Sequence, residues 1–315
     1  MHANKTPLVS IIIVSFNNKD TLENTLNSMH EKIKETNFEV IVVDNASVED
    51  NVNMIREKFA DVIIIENRTN KGFAHACNQG AKIAEGEYLL FANSDIILLD
   101  DPLKDMMNIF GEKLNTGIVG CQLLNPDHTL QPSYYDSPSL LKRFFDLIGL
   151  KKYLVRFYHN HKVHVGKFFT VDIVKGAFMM ISKTLFDDCN GFDSKYFMYM
   201  EDVDLSFRCL LKNKKNYVLN SNSVIHLGWH VSSIKNPIAF TFGNYGLIRF
   251  YKKNTNLFKF NGFLFMNISI YALQYLFKFL FSNNKFEVSQ LKKVLKLYMA
   301  SLIKQEDVDL LMDIH

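Results

Sequence analysis

Asp44, Asp95 and the run Glu201-Asp202-Val203-Asp204 are the side chains of this 315-residue sequence most suited to chemistry, because each falls where an element pattern ends or begins. Asp44 closes the apolar run VIVVD, Asp95 follows YLLFANS, and the Glu201 run opens a helical pattern after an aromatic stretch. In an open α/β sheet, ligands bind outside the carboxyl ends of the strands, so acids placed there converge on one crevice. Carboxylates gathered in this way suit a metal-bound nucleotide and the removal of a proton from a hydroxyl.

Convergence requires strands and helices in alternation, and the first half of the chain has that pattern. Leu8 to Ser15, Phe38 to Val43, Val62 to Ile65, Glu87 to Ala92 and Ile118 to Leu124 are apolar runs of strand length. Between them, Leu22, Leu26, Met29 and Ile33, then Val52, Ile55 and Phe59, recur at helical spacing, and Gly72 to Ala84 is a helix of small residues. A further helix starts at Pro102 and carries Leu103, Met106, Met107 and Phe110. Such alternation implies βαβ units and a largely parallel sheet. Pro126 to Lys167 breaks the rhythm and reads as a variable loop with short helices, an acceptor lid over the crevice. Regular structure resumes at Phe168 to Ser182, and Val203, Phe207 and Leu210 mark a helix after Glu201-Asp202.

With 48% hydrophobic residues, the chain can bury one large domain and a helical appendage. Its net charge of +3 hides an asymmetry, since residues 235 to 304 hold 11 Lys or Arg against Glu287 alone. That region suits an anionic partner, and lipid rather than nucleic acid is expected. Cys77, Cys121, Cys189 and Cys209 lack metal or disulfide spacing and read as reduced core thiols of a cytosolic protein. No export signal is legible at the N-terminus. Phe260 to Phe281 approaches the length of a membrane span, but Asn261, Asn267, Gln274 and Lys278 interrupt it, so an amphipathic segment on a bilayer or on the body is expected. Val288, Leu291, Leu295 and Leu302, flanked by Lys292, Lys293, Lys296 and Lys304, form a stripe suited to an anionic bilayer surface, with a docked helix as the alternative.

Taken in order, VSIIIVSFNN, VIVVDNASVED, ENRTNKGFAHACNQG, GEYLLFANSDIIL, VKGAFMMISKTLFDDCNGFD, FMYMEDVDLSFR and VIHLGWHVSS make residues 7 to about 235 resemble a family 2 glycosyltransferase, in the branch that includes rhamnosyltransferases. The resemblance implies an α/β GT-A (Rossmann-like) fold: a mixed, mainly parallel sheet flanked by helices, with a C-terminal helical extension. It implies a catalytic domain over 1–235, with a nucleotide-binding half to about 125 and an acceptor-binding half beyond it, followed by a basic amphipathic extension over 236–315. The implied activity is inverting, metal-dependent transfer of a sugar from dTDP-rhamnose or a UDP-sugar to a glycan or lipid-linked acceptor in surface polysaccharide synthesis. That work would occur at the inner face of the cell membrane, by peripheral association, with homodimer formation left open. A nucleotidyltransferase on a similar sheet, and an inactive sugar- or membrane-binding module, are the alternatives.

Carried onto this sequence, the family's roles place the nucleoside on Asp44, with Asn17 and Asn45 beside it. Asp44 could instead cap the segment after Ser47. Asn93-Ser94-Asp95 stands at the DxD motif, with the neutral Asn93 in first position, and Asp95 is expected to hold Mg²⁺ or Mn²⁺; an ordinary turn is the alternative. Lys71 and Gly72 open a helix whose amides could attract a phosphate, or else serve close helix-on-sheet packing. Asp202 is the expected base and Glu201 is expected to orient the acceptor or the base, whereas Asp204 is expected to pair with Arg208 four residues on. His226 is implied as a third metal or diphosphate contact, with His230 as competitor, and Tyr199 and Trp229 could stack on an acceptor sugar or else serve aromatic packing in the core. His159, His161 and His164 suit a solvated basic loop better than a zinc site.

Overall fold

The computed structural model of the chain describes residues 8–150, 166–228 and 236–304. Trp229, His230 and the histidines at 159, 161 and 164 lie outside them. Strands are β1 (Val9–Ser15), β2 (Phe38–Asp44), β3 (Ile63–Glu66), β4 (Tyr88–Asn93), β5 (Ile96–Leu98), β6 (Thr116–Leu124), β7 (Leu130–Gln131), β8 (Tyr134–Tyr135), β9 (Phe168–Val171), β10 (Ile173–Val174), β11 (Phe178–Ser182) and β12 (Lys215–His226). Helices are α1 (Lys19–Lys32), α2 (Asn51–Lys58), α3 (Phe73–Ile83), α4 (Leu103–Glu112), α5 (Leu140–Leu147), α6 (Lys183–Asp188), α7 (Glu201–Leu211), α8 (Pro237–Asn254), α9 (Leu257–Phe281) and α10 (Lys285–Lys304).

Two compact units divide the chain. The first takes Met1–Ser137, His164–Phe197 and Glu201–Trp229, and the second takes Pro138–Val163, Met198–Met200 and His230–His315. This division differs from a single boundary near 235, because α5 belongs with the C-terminal helices. Within that unit, Arg143 of α5 donates from Nε to Asn267 Oδ1 at 3.0 Å, and from one terminal nitrogen to Asn244 Oδ1 at 2.8 Å and the Tyr271 hydroxyl at 2.9 Å. A guanidinium removed from water needs such partners, and α8 and α9 supply them.

In the first unit, β3-β2-β1-β4 run parallel, β11 enters antiparallel between β4 and β6, and β12 lies parallel to β6. This is the mixed, mainly parallel sheet the sequence implies. Helices cover both faces, so β1 is buried on both: Ile11 and Ile13 pack with Leu22, Leu26 and Met29 of α1, and Ile12 packs with Ala74, Ala76 and Cys77 of α3. A methyl placed on Gly80 of α3 would meet Ile12 Cγ2 at 2.6 Å, so the small residues of this helix set how closely it approaches the sheet.

After β4, the chain turns at Ser94-Asp95 and leaves mid-sheet. β5 then pairs antiparallel with the end of β12 at the sheet edge, placing Ile96 opposite His226. On β5's open side, Ile96 N and Leu98 N donate to Thr25 Oγ1 and Ser28 Oγ of α1, both at 3.1 Å, which satisfies amides that would otherwise be buried unpaired.

In the second unit the stripe of α10 is a packing seam rather than a free apolar face. Leu291, Val294, Leu297 and Tyr298 are buried, the Tyr298 ring lies 5.8 Å from that of Phe263 on α9, and Lys292, Lys293 and Lys296 face solvent. Of the stripe read from sequence, Leu291 lies in this seam, as the docked-helix alternative has it, while Val288, Leu295 and Leu302 are half-buried. Exposed apolar surface lies instead on α9, at Phe258, Phe265, Leu273, Phe277, Leu280 and Phe281. That helix is long and apolar enough to cross a membrane by length and composition, and only 22% of its most apolar 18-residue window is buried.

Candidate active site

Asp95 and His226 meet because β5 ties the turn after β4 to the end of β12. Leu227 N donates to Asp95 O at 3.0 Å and Gly228 N to Asp95 Oδ2 at 3.1 Å, while Asp95 Oδ1 faces His226 Nε2 at 3.4 Å. Burial works to raise the Asp95 pKa, but the His226 ring in its protonated form and the Gly228 amide outweigh it and hold the carboxyl below its ordinary 3.8. Asn93 Nδ2 approaches the same imidazole nitrogen at 3.2 Å. Among the described residues no cluster of three His, Cys, Asp or Glu side chains exists that could enclose a metal. An open pair of one carboxylate and one imidazole nonetheless fits a divalent cation that completes its coordination with phosphate oxygens and water.

The strip Lys175-Gly176-Ala177 joins this pair to α7. Ala177 O accepts from Asn93 N at 2.9 Å, Gly176 N donates to Asp202 Oδ2 at 2.8 Å, and Lys175 Nζ donates to Gln131 Oε1 at 2.7 Å. The same Gln131 oxygen lies 2.6 Å from His226 Nδ1. Burial pulls the Lys175 pKa below the usual lysine value, against the fields of Asp202 and Asp95, both of which raise it. One ammonium is thus within electrostatic reach of both carboxylates. Gly176 matters at this point because a Cβ there would stand 3.0 Å from Asp202 Cβ.

Burial raises the Asp202 pKa, opposed by the amides of Gly176 and Val203 and by Lys175. Its neighbour Glu201 is 7% exposed, with Oε2 buried and unpartnered among the described groups, and burial next to Asp202 pushes its pKa up to about 8. Two adjacent carboxyls in a dry helix start resist double ionisation, and Glu201 is the one held neutral. Asp204 is fully buried and pairs with Arg208 Nε at 2.7 Å, the expected ion pair one helical turn apart.

Asp44 is buried at the end of β2, and Ser47 occupies both its oxygens, from N at 2.9 Å and Oγ at 2.6 Å. It caps that turn and not α2, which begins at Asn51. From Ser47 a polar chain crosses the strand ends: Asn51 Nδ2 reaches Ser47 Oγ, Ser15 Oγ and Asn18 Oδ1, and Asn18 Nδ2 donates to Ser94 Oγ. Asp44 and the Ser94-Asp95 turn therefore share one hydrogen-bonded ledge. Asn17 is exposed and left-handed (φ 49°), and it stitches the first two strand–helix loops by donating from N to Ser47 Oγ and accepting from Val48 N. Asn45 is buried and engaged with Gly72 O and Asn67, so its side chain holds loops together.

Gly72 (φ 90°) leads into α3 where a Cβ would sit 2.4 Å from Phe197 O, and that same carbonyl accepts from Phe73 N at 2.7 Å. The first amide of α3 is thereby spent on backbone rather than left for an anion; close packing is what this glycine serves, and Lys71 is exposed beside it. Tyr199 (φ 68°) and Met200 (φ 74°) are consecutive left-handed residues in the second unit. Lys175, within VKGAFMM, and Gln131, in a Pro-flanked segment with no periodic signal, are site residues that no pattern in the sequence marks.

A mixed sheet with these strand-end carboxylates is the GT-A arrangement, and the fold is shared with a mannosyltransferase from Pyrobaculum calidifontis solved in complex with GDP-Man and Mn²⁺. That likeness has a TM-score of 0.55 at 14% identity and covers 95% of this chain and 76% of the other. Residues 10–186 match the model of glycosyl transferase family 2, and the chain belongs to that family. It is 26% identical to the rhamnosyltransferase WbbL of Escherichia coli over 71% of this chain and 84% of that protein. It is 22% identical to the N-acetylglucosaminyl-diphospho-decaprenol L-rhamnosyltransferase of Mycobacterium tuberculosis, over 70% and 76% of the two. Against the O-antigen biosynthesis protein RfbC of Myxococcus xanthus, identity is 24% over 77% of this chain but only 19% of the longer protein. Of two further family relatives it spans 42% and 24%.

The buried Glu201 makes stability depend on pH. The folded chain retains a proton that the unfolded chain releases, so stability falls as pH rises from the ordinary 4.5 towards 8 and levels beyond. Urea midpoints measured at pH 5.5 and 8.5 should fall less for Glu201→Gln than for the wild type; equal falls would mean Glu201 is ionised in the folded chain.

Proposed function

We propose that the chain is an inverting glycosyltransferase that moves a sugar from a nucleoside diphosphate to a hydroxyl of a glycan or lipid-linked acceptor in surface polysaccharide synthesis. The observation that carries this reading is the strip 175–177, which links the Asp95–His226 pair to Asp202 through a 2.8 Å amide contact and a shared glutamine. A cation-seeking pair beside a raised carboxyl is what sugar transfer needs: neutralisation of a departing diphosphate and acceptance of a proton. The rhamnosyltransferase relatives and the GDP-Man complex of the structural relative support a nucleotide-sugar donor, with dTDP-rhamnose or a UDP-sugar as candidates.

Asp202 takes the proton of the acceptor hydroxyl as that oxygen bonds to the anomeric carbon and the bond from that carbon to the diphosphate breaks. A carboxyl whose pKa is raised towards the working pH is the better base for this step. Glu201, held neutral, leaves Asp202 as the local negative charge and orients the acceptor. Asp95 and His226 would hold Mg²⁺ or Mn²⁺, which when bound supplies charge to stabilise the diphosphate leaving group. Lys175 adds an ammonium to the same region. Asp44, Asn17 and Asn45 would form the nucleoside side of the site, with Lys71, Asn93 and Ser94 along the diphosphate. Tyr199 and Trp229 are proposed on the acceptor sugar.

The exposed apolar face of α9, with exposed lysines on α10, supports peripheral attachment to an anionic membrane at its cytoplasmic face. The double variant Phe258→Glu/Phe277→Glu should lose flotation with phosphatidylglycerol vesicles; unchanged flotation would remove α9 from the contact.

For the chemistry, a thermal-shift screen of dTDP- and UDP-sugars with and without Mn²⁺, paired with transfer assays, is the test. Asp202→Asn should retain donor-induced stabilisation yet lose transfer by about 10²–10⁴-fold. Asp95→Ala should lose only the Mn²⁺-dependent part of the shift. Full transfer by Asp202→Asn would overturn the assignment of the base.

A further inference from the structure

Gln131 lies buried in β7, a two-residue strand of a segment with no recognisable motif, and its carboxamide contacts both the backbone and the side chain of His226. Its orientation can be read without ambiguity. Nε2 is 2.9 Å from His226 O, which can only accept, and Oε1 is 2.7 Å from Lys175 Nζ, which can only donate. Gln131 Oε1 is therefore an acceptor facing His226 Nδ1 at 2.6 Å, and that nitrogen must carry hydrogen. Lys175 Nζ also approaches Nδ1, but at 3.5 Å, too long to compete with the glutamine contact. Nε2 of the neutral ring is left bare, accepting from Asn93 Nδ2 at 3.2 Å and facing Asp95 Oδ1 at 3.4 Å.

We propose that Gln131 is a positioning residue that fixes the neutral His226 ring in the Nδ1–H form, presenting Nε2 beside Asp95 as a ready ligand for a divalent cation. The cation role rests on the function proposed above; the tautomer does not. Lys175 completes the device by competing for the same oxygen, so the carboxamide cannot turn over without placing its NH₂ against an ammonium. Ring-binding partners of this kind raise the basicity of a ligating imidazole and set its orientation.

Long-range ¹H–¹⁵N spectra of the metal-free, full-length protein, with the His226 ring assigned by comparison with His226→Gln, test this on the wild type alone. The expected result is the Nδ1–H pattern for the neutral ring; the Nε2–H pattern overturns the proposal. In Gln131→Leu the ring should become a tautomer mixture, and Mn²⁺ affinity followed by electron paramagnetic resonance should fall about 10-fold or more, whereas Gln131→Glu, which keeps the acceptor, should preserve the Nδ1–H form. An unchanged tautomer in Gln131→Leu would also overturn it. A wild type that has the Nδ1–H ring but binds no Mn²⁺, with or without nucleoside diphosphate, would sink the metal reading and leave the tautomer lock standing.

Discussion

The pairing of β5 with the end of β12 is the constraint on which the rest of the site depends. Three residues after a mid-sheet strand, the chain crosses to the sheet edge, and the register that sets Ile96 opposite His226 brings a carboxylate and an imidazole to 3.4 Å. Two electron-rich groups at that distance favour a cation between or beside them, whether a proton or a metal. The crossing is itself stabilised remotely, by α1 hydroxyls that satisfy the open amides of β5. Helix α1, far from any reacting group in sequence, thereby helps set the position of the turn.

From that pair, charge is distributed by short, dry contacts. Lys175 lies within the fields of Asp95 and Asp202, Gly176 gives its amide to Asp202, and Glu201 is denied its charge by burial. The result is a site in which neighbouring carboxyls titrate apart, one held below its ordinary range and two above it. Such separation assigns different tasks to chemically similar side chains. On the other side, the Asn51-centred hydrogen bonds, extended by Asn18, tie the loops after β1 and β2 to the Ser94 turn, so Asp44 and the Ser94-Asp95 turn cannot move independently without breaking them.

Much of this was legible in the sequence. The parallel strands announce themselves because both faces are covered, giving unbroken β-branched runs, and the acids at their ends were identifiable by position alone. The Asp204–Arg208 pair followed from spacing. Other parts carried no signal. β5 is three residues long, and β12 hides behind a polar middle where its register with β6 shifts between Leu219 and Val224. Lys175 and Gln131 become meaningful only when distant segments are brought together. The stripe on α10 was recognisable as apolar, but periodicity does not say whether lipid or another helix covers it, and here α8 and α9 pack on α10 while Leu291 is buried and Val288, Leu295 and Leu302 stay half-buried. Likewise, small residues at the start of α3 suit anion binding and close packing equally until Phe197 O is seen to take the amide.

The most direct measurement is anomalous diffraction from crystals grown with Mn²⁺ and a nucleoside diphosphate. The account predicts a manganese peak bound by an Asp95 oxygen and His226 Nε2, with the diphosphate beside it on the side of Lys175 and Asp202 open to an incoming hydroxyl. A peak elsewhere, or a nucleotide bound away from the ends of β1, β2 and β4, would contradict it.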